Sequence, residues 1–247
     1  MATPTPDSRT KTALVTGGAS GIGAACCREL ARAGYAVGIH FHRSEAAAEA
    51  LHAELAGSWL VRADLADPEQ VEALGREIQQ RSPLDLFVSN AGVVHQRPFL
   101  LSSLDDYERV FAVNLTAAWR LAKRVAGRMV RARCGSITFV SSIVGERGNQ
   151  MQSVYAMTKA ALENLARSLA VELAPYGIRV NAVAPGLIDT PLLEAVHAAT
   201  LQEIVARIPL ARMGRAEEVA RVVRFLADEG TYITGAVIPV NGGLHLG

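Results

Sequence analysis

The chain has 247 residues, half of them hydrophobic and 5% aromatic, and 25 Lys and Arg against 24 Asp and Glu leave a formal net charge of +1. That length suits one large α/β domain or two small ones, with enough chain to bury a substantial core. The charge balance argues against nucleic acid or an anionic membrane surface as main partner, and no apolar run is long enough to span a bilayer.

Residues 1–11, "MATPTPDSRTK", lack an apolar signal core and read as a flexible tail ahead of a single domain over 12–247, with a cytoplasmic location as the expectation. Short apolar runs at 12–17, 36–41, 59–64, 85–92, 136–142, 179–186 and 236–243 read as seven strands. Several are nearly continuous in Val, Ile, Leu and Ala, the pattern of strands covered on both faces. Helical periodicity fills 21–33, 45–56, 68–81, 104–131, 152–174 and 216–228, the third opening with Asp67 as N-cap and Pro68 at its first position. The alternation predicts an α/β fold of Rossmann type, a doubly wound parallel sheet of seven strands with helices on both faces. The irregular stretch 186–212 reads as a mobile flap over the carboxyl ends of the strands. Cys26, Cys27 and Cys134 read as reduced core thiols; His52, His197 and His245 form no ligand cluster, so no metal is expected. His95 follows the fourth strand toward a pocket mouth, and Trp119 is spaced for helix packing.

The first strand runs into "TGGASGIG", Thr16 to Gly23, and then a helix. A glycine-rich turn there lets backbone approach a pyrophosphate, with the helix N-terminus supplying N–H groups and a positive dipole end. The spacing Gly17-x-x-x-Gly21-x-Gly23 resembles the short-chain dehydrogenase/reductase family, and the resemblance extends over nearly the whole chain. "SNAG" is similar to the family's Asn-Asn-Ala-Gly, with Ser89 in place of the first Asn, and implies Asn90, Ala91 and Gly92 at the cofactor. The resemblance further implies Ser20 and Ile22 in the turn and Asp64 and Leu65 at the adenine. In "APGLIDT" it implies Pro185 and Gly186, with Ile188 and Thr190 holding the nicotinamide carboxamide. The end of strand two reads "HFHRSE", with no carboxylate before Glu45. Arg43 can fork onto a 2′-phosphate and Ser44 can donate to it, which favours NADP(H) over NAD(H).

Hydride transfer to a carbonyl builds charge on oxygen, so a proton donor must stand beside it. Tyr155 can serve, and Lys159, one helical turn on and on the same face, is expected to lower its reference pKa of about 10 together with a bound cationic nicotinamide ring. A serine at the tip of strand five can orient the carbonyl. Ser141 and Ser142 compete for this role, and the family spacing to Tyr155 selects Ser142. Asn114 is a polar residue among apolar helix neighbours; the resemblance implies that it holds a water linking Lys159 to solvent, completing the family's tetrad.

Within the family the chain is most similar to bacterial 3-oxoacyl-[acyl-carrier-protein] reductases, on "GNQMQSVYAMTKAALENLARSLAVELAPYGIRVNAVAPGLIDT", "IPLARMGRAEEVA" and "YITGAVIPVNGG". This implies NADPH-dependent reduction of a 3-oxoacyl thioester to the (3R)-hydroxyacyl thioester. An acidic acyl carrier protein needs basic residues near the mouth. Arg128 and Arg131 are candidates, and Arg133 aligns with one of the group's docking arginines. The group's second docking position is Val171 here, which leaves room for a paralogue working on a polyketide or aryl-polyene chain. A homotetramer is implied too, with surplus apolar residues such as Ala160, Ala161, Leu165 and Leu169 on the long helices. Two alternatives stand beside this reading. One is a dehydrogenase of small alcohols, sugars or ring ketones, decided by Val93, Val94, Val144, Met151, Gln152 and the flap. The other is a silent NADP-binding regulator, which would not need Tyr155 and Lys159.

Overall fold

The computed structural model describes residues 10–81, 84–193 and 197–246. Most of the expected tail, and part of the flap at 194–196, lie outside the described residues; Lys11 at the tail's end is exposed and pairs with Asp228 at 2.9 Å. In chain order the structure holds β1 (Thr12–Val15), α1 (Gly21–Arg32), β2 (Ala36–Phe41), α2 (Glu45–Glu54), β3 (Trp59–Arg62), α3 (Pro68–Gln80), β4 (Leu86–Ser89), α4 (Leu104–Phe111) and α5 (Ala117–Ala132). There follow β5 (Gly135–Val140), α6 (Ser153–Leu173), β6 (Ile178–Pro185), β7 (Ile188–Asp189), α7 (Ala198–Ala206), β8 (Gly214–Arg215), α8 (Ala216–Asp228) and β9 (Val237–Val240).

Seven strands form one sheet in the order β3-β2-β1-β4-β5-β6-β9, every neighbouring pair parallel. Alternation along each strand sorts the core into two layers. Ala13, Val15, Leu86 and Val88 meet Cys26, Cys27 and Leu30 of α1 and Val219, Val223 and Leu226 of α8 on one face. Leu14, Phe87, Ile137 and Phe139 meet Leu74 of α3, Leu121 and Val125 of α5 and Leu162 and Ala166 of α6 on the other. Both faces are covered, which is why the strands read as unbroken apolar runs. The chain leaves β1 toward β2 and β3, then returns to place β4 on β1's other side. The crevice beyond the carboxyl ends of β1 and β4 is therefore the switch point where such sheets bind ligands.

The strands end earlier than their apolar runs suggested. β1 stops at Val15 and β4 at Ser89, before Thr16-Gly17 and Asn90-Ala91-Gly92, because these residues leave the ladder to shape the crevice. The helix expected over 104–131 is interrupted by a widened π turn at Ala112–Thr116. A two-residue ladder joins β7 to β8 and pins the flap's two ends together, a feature the sequence pattern did not signal. Cys26 and Cys27 are buried, and burial pushes both thiols up, Cys27 to about 12, so they are unreactive core residues. Cys134 departs from the expectation: it is exposed, in the turn after α5 where Arg133 takes a left-handed φ of 54°. Trp119 is also no core residue; it is 46% exposed, with the Lys123 ammonium 5.1 Å from its ring.

Candidate active site

The glycine turn is held by Asn90 and by two side chains that the sequence reading did not single out, Thr16 and His40. The buried Thr16 hydroxyl accepts from the Asn90 and Ala91 N–H groups at 2.9 and 3.1 Å and donates to Val88 O at 3.4 Å. The Asn90 amide returns bonds to Thr16 O and Gly17 O at 2.9 and 3.2 Å. His40, buried at the end of β2, accepts from Gly17 N at 3.0 Å through Nδ1 and donates from Nε2 to Ala63 O at 3.2 Å. A carbonyl only accepts, so these partners fix a neutral ring with its proton on Nε2. Burial holds its pKa down at about 4. The turn is thus tied to β2, β3 and β4 before any ligand arrives. A histidine inside an apolar strand was the available signal for it.

Gly17 and Gly21 occupy left-handed φ values of 63° and 51°. Gly23 answers a different need: a Cβ there would sit 2.0 Å from Gly17 O. It lets α1 close on the turn and is not part of the crevice wall. Ser20, the N-cap of α1, makes no side-chain cap bond, and the first turn contains no acidic residue. Its N–H groups therefore present a donor set suited to a pyrophosphate.

A cleft of about 680 Å³ opens over the turn. Gly17, Ser20, Gly21, Ile22, Arg43, Ser44, Asp64, Leu65, Asn90, Ala91, Gly92, Ser142, Tyr155, Lys159, Pro185, Gly186, Ile188 and Thr190 all line it. At its far end Arg43 is exposed and makes no ion pair among the described residues, and Ser44 caps α2 without spending its hydroxyl. His42 Nε2 lies 3.7 Å from Asp64 Oδ2 beside them. Arg109 on α4 also lines the cleft, a cation that sequence reasoning passed over. Val93 and Val94 line the cleft, whereas Val144 is buried in a small apolar cluster against which Tyr155 packs. His95 is tied to Ser102 Oγ at 3.1 Å and His52 to Ser58 Oγ at 2.7 Å, which accounts for both without chemistry.

At the near end, Ser142 stands just past β5, and Tyr155 and Lys159 follow on one face of α6. The Ser142 oxygen accepts from Val144 N at 3.4 Å, opening a 3-10 turn over Ile143–Gly145. Lys159 is buried; its ammonium donates to Val140 O at 2.8 Å and lies 5.5 Å from the Tyr155 ring centre. Burial lowers the Lys159 pKa to about 8. Burial also raises Tyr155, to about 12, against a smaller opposing pull from the Ser142 hydroxyl. In the protein alone burial outweighs any lowering of the Tyr155 pKa by Lys159; the expected lowering also requires the bound nicotinamide ring. The ammonium is directed at Val140 O and is itself disfavoured by burial, so desolvation decides the phenol.

Asn114 sits behind this wall in the π turn. Its oxygen accepts from Val93 N at 2.8 Å, and its amide donates to Val93 O at 3.0 Å and Thr158 Oγ at 3.2 Å. A Cβ on Gly92 would stand 3.3 Å from Asn114 Oδ1 and 3.6 Å from Lys159 Nζ, so the lysine and the asparagine share one glycine's space. Asn114 bridges α6 to the loop after β4 and does not itself line the cleft.

The family model described as "Enoyl-(Acyl carrier protein) reductase" matches residues 17–245. The chain is 42% identical to "3-oxoacyl-[acyl-carrier-protein] reductase FabG" of Pseudomonas aeruginosa, over 96% of this chain and 98% of that one. Among solved structures it is similar to a "short chain dehydrogenase/reductase family protein", with a TM-score of 0.89 at 35% identity, covering 96% of this chain and 98% of that one. It is likewise similar to acetoin dehydrogenase YohF from Salmonella typhimurium, with a TM-score of 0.88 at 33% identity and the same coverage, 96% and 98%.

Proposed function

The chain belongs to the short-chain dehydrogenase/reductase family, and on that premise we propose that this oxidoreductase reduces a 3-oxoacyl thioester on acyl carrier protein to the (3R)-hydroxyacyl thioester with NADPH. The observation that carries the reading is the meeting of Ser142, Tyr155 and Lys159 on one wall of the cleft whose floor is the glycine turn. NADPH, when bound, supplies the hydride. The N–H groups of α1's first turn hold its pyrophosphate, and Ile188 and Thr190 its carboxamide. Arg43 and the uncommitted Ser44 hydroxyl take the 2′-phosphate, which no carboxylate at the end of β2 opposes.

Tyr155 gives its proton to the substrate oxygen as charge develops there, and Ser142 orients that oxygen by hydrogen bonding. Burial raises the Tyr155 pKa and keeps the phenol protonated, so it enters the reductive direction with a proton to give, while the same burial makes it a weaker acid. Lys159, with a pKa near 8, is the group able to resupply the proton near neutral pH. Asn114 fixes the Gly92–Val93 backbone beside it.

The thioester comes from the name of the Pseudomonas relative, and the surface offers a place for its acidic carrier. A groove of about 780 Å³ between α3 and α5 is lined by Arg120, Lys123, Arg124, Arg128 and Arg131. Glu72 engages Arg120 and Arg124, leaving Lys123, Arg128 and Arg131 unopposed by it. Arg133 stands at the end of α5 with its guanidinium on Pro175 O at 2.8 Å. Val171, at the position of the missing docking arginine, is 78% exposed. The likeness to acetoin dehydrogenase favours a second reading, reduction of a small ketone. Following NADPH absorbance with acetoacetyl carrier protein, acetoacetyl coenzyme A and acetoin separates them. The proposal expects the highest kcat/KM with the carrier-bound substrate; turnover of acetoin alone would replace it with the second reading.

A further inference from the structure

The buried carboxyl of Glu163 has no part in the reaction described above. It lies one turn beyond Lys159 on the inner side of α6. Its Oε1 is 2.7 Å from Ser141 Oγ, and the same hydroxyl is 3.1 Å from Lys159 O. Glu163 also backs the turn that follows Ser142: a Cβ on Gly145 would meet its Oε1 at 2.7 Å and the Lys159 carbonyl carbon at 3.0 Å.

A proton count separates two states. A serine hydroxyl has one proton and the Lys159 carbonyl can only accept. If Ser141 donates to Lys159 O, the short contact with Glu163 is a hydrogen bond only when the carboxyl carries a proton and donates it. If Glu163 is ionised, it draws the Ser141 proton to itself, and Lys159 O loses that partner. The first state satisfies every contact. Lys159 Nζ bonds in the opposite sense to Val140 O, at 2.8 Å. The two bonds then join the tip of β5, which carries Ser142, to the turn of α6, which carries Tyr155 and Lys159.

We propose that Glu163 is a positioning residue that works as a neutral hydrogen-bond donor, directing the Ser141 proton onto Lys159 O and so fixing the serine half of the active site against the tyrosine–lysine half. The inference rests on the catalytic reading given above. The surroundings support it on balance: burial is the largest influence on the Glu163 carboxyl and raises its pKa, the Ser141 hydrogen bond and then the Arg167 guanidinium oppose that rise, and Glu146 adds to it. Lys159, one turn before Glu163 on α6, directs its ammonium toward β5.

The test compares wild type, Glu163→Gln and Glu163→Ala. Glu163→Gln keeps a donor in the same shape, and Glu163→Ala removes donor and support together. Infrared difference spectra of wild type against Glu163→Gln at pH 7 should show the C=O stretch of one protonated carboxyl in wild type only. Glu163→Gln should keep kcat within about twofold, while Glu163→Ala loses about tenfold in kcat with KM for NADPH little changed. A carboxylate band in place of the acid band overturns the proposal, as does a Glu163→Gln variant as impaired as Glu163→Ala. The infrared readout needs no substrate, so a wrong substrate assignment leaves it standing.

Discussion

At the scale of single residues, the crevice is built by groups of two kinds. Arg43 lines its far end without an ion pair among the described residues, and on the proposed reading its charge would favour a 2′-phosphate over a 2′-hydroxyl. Arg43→Ala should raise KM for NADPH far more than KM for NADH in steady-state assays; equal effects would remove Arg43 from that role. His40 is buried, neutral and bonded on both sides. Its folded pKa is about 4 against 6.5 unfolded, so the unfolded chain binds more protons between those values. The stability that neutral His40 contributes is present above 6.5 and is lost as pH falls through 4, a swing of roughly 3 kcal/mol. His40→Gln can still accept from Gly17 N and does not titrate. Its melts should flatten between pH 6.5 and 4 relative to wild type, and parallel curves would contradict the assignment. Arg43, Tyr155 and Lys159 could be singled out in the sequence by chemistry and spacing, and Ser142 over Ser141 by the family resemblance, and the structure brings all four to one cleft. Thr16, His40 and Glu163 were not, because each acts through a backbone or hydroxyl partner that is distant in sequence and close only in the fold.

At the scale of elements, function depends on how tightly α1 closes on the turn before it. The 2.0 Å approach of a Cβ at position 23 to Gly17 O leaves no soft atom to move. Gly23→Ala should therefore push α1 outward, cost about 1–3 kcal/mol and lower Tm by several degrees, with weaker NADPH binding by fluorescence titration. An unchanged Tm would show that the helix can shift freely. Asn114 illustrates the same dependence in the π turn, where the widened backbone brings its amide against both Val93 and Thr158. The alternating strands and amphipathic helices were readable from hydrophobic period alone. The π turn and the β7–β8 ladder were not, since a helix with one extra residue keeps an apolar stripe and a two-residue strand has no period.

At the scale of the whole molecule, the order β3-β2-β1-β4-β5-β6-β9 sets the cofactor floor and the reactive wall at one edge, while much apolar surface stays uncovered. Phe99, Leu100, Leu101 and Leu104, together with Trp119 and Met157 on the long helices, are exposed, Leu100 by 91%. Exposed apolar side chains in this number suit association, and we expect light scattering to give a homotetramer; a stable monomer would contradict that. On the proposed reading Tyr155 protonates the substrate oxygen during reduction of a 3-oxoacyl thioester. The most direct test is the rate of NADPH loss with acetoacetyl carrier protein for wild type and Tyr155→Phe. Wild type should turn over, and kcat should fall about a hundredfold or more in the variant, with NADPH binding retained. A variant as fast as wild type would contradict it.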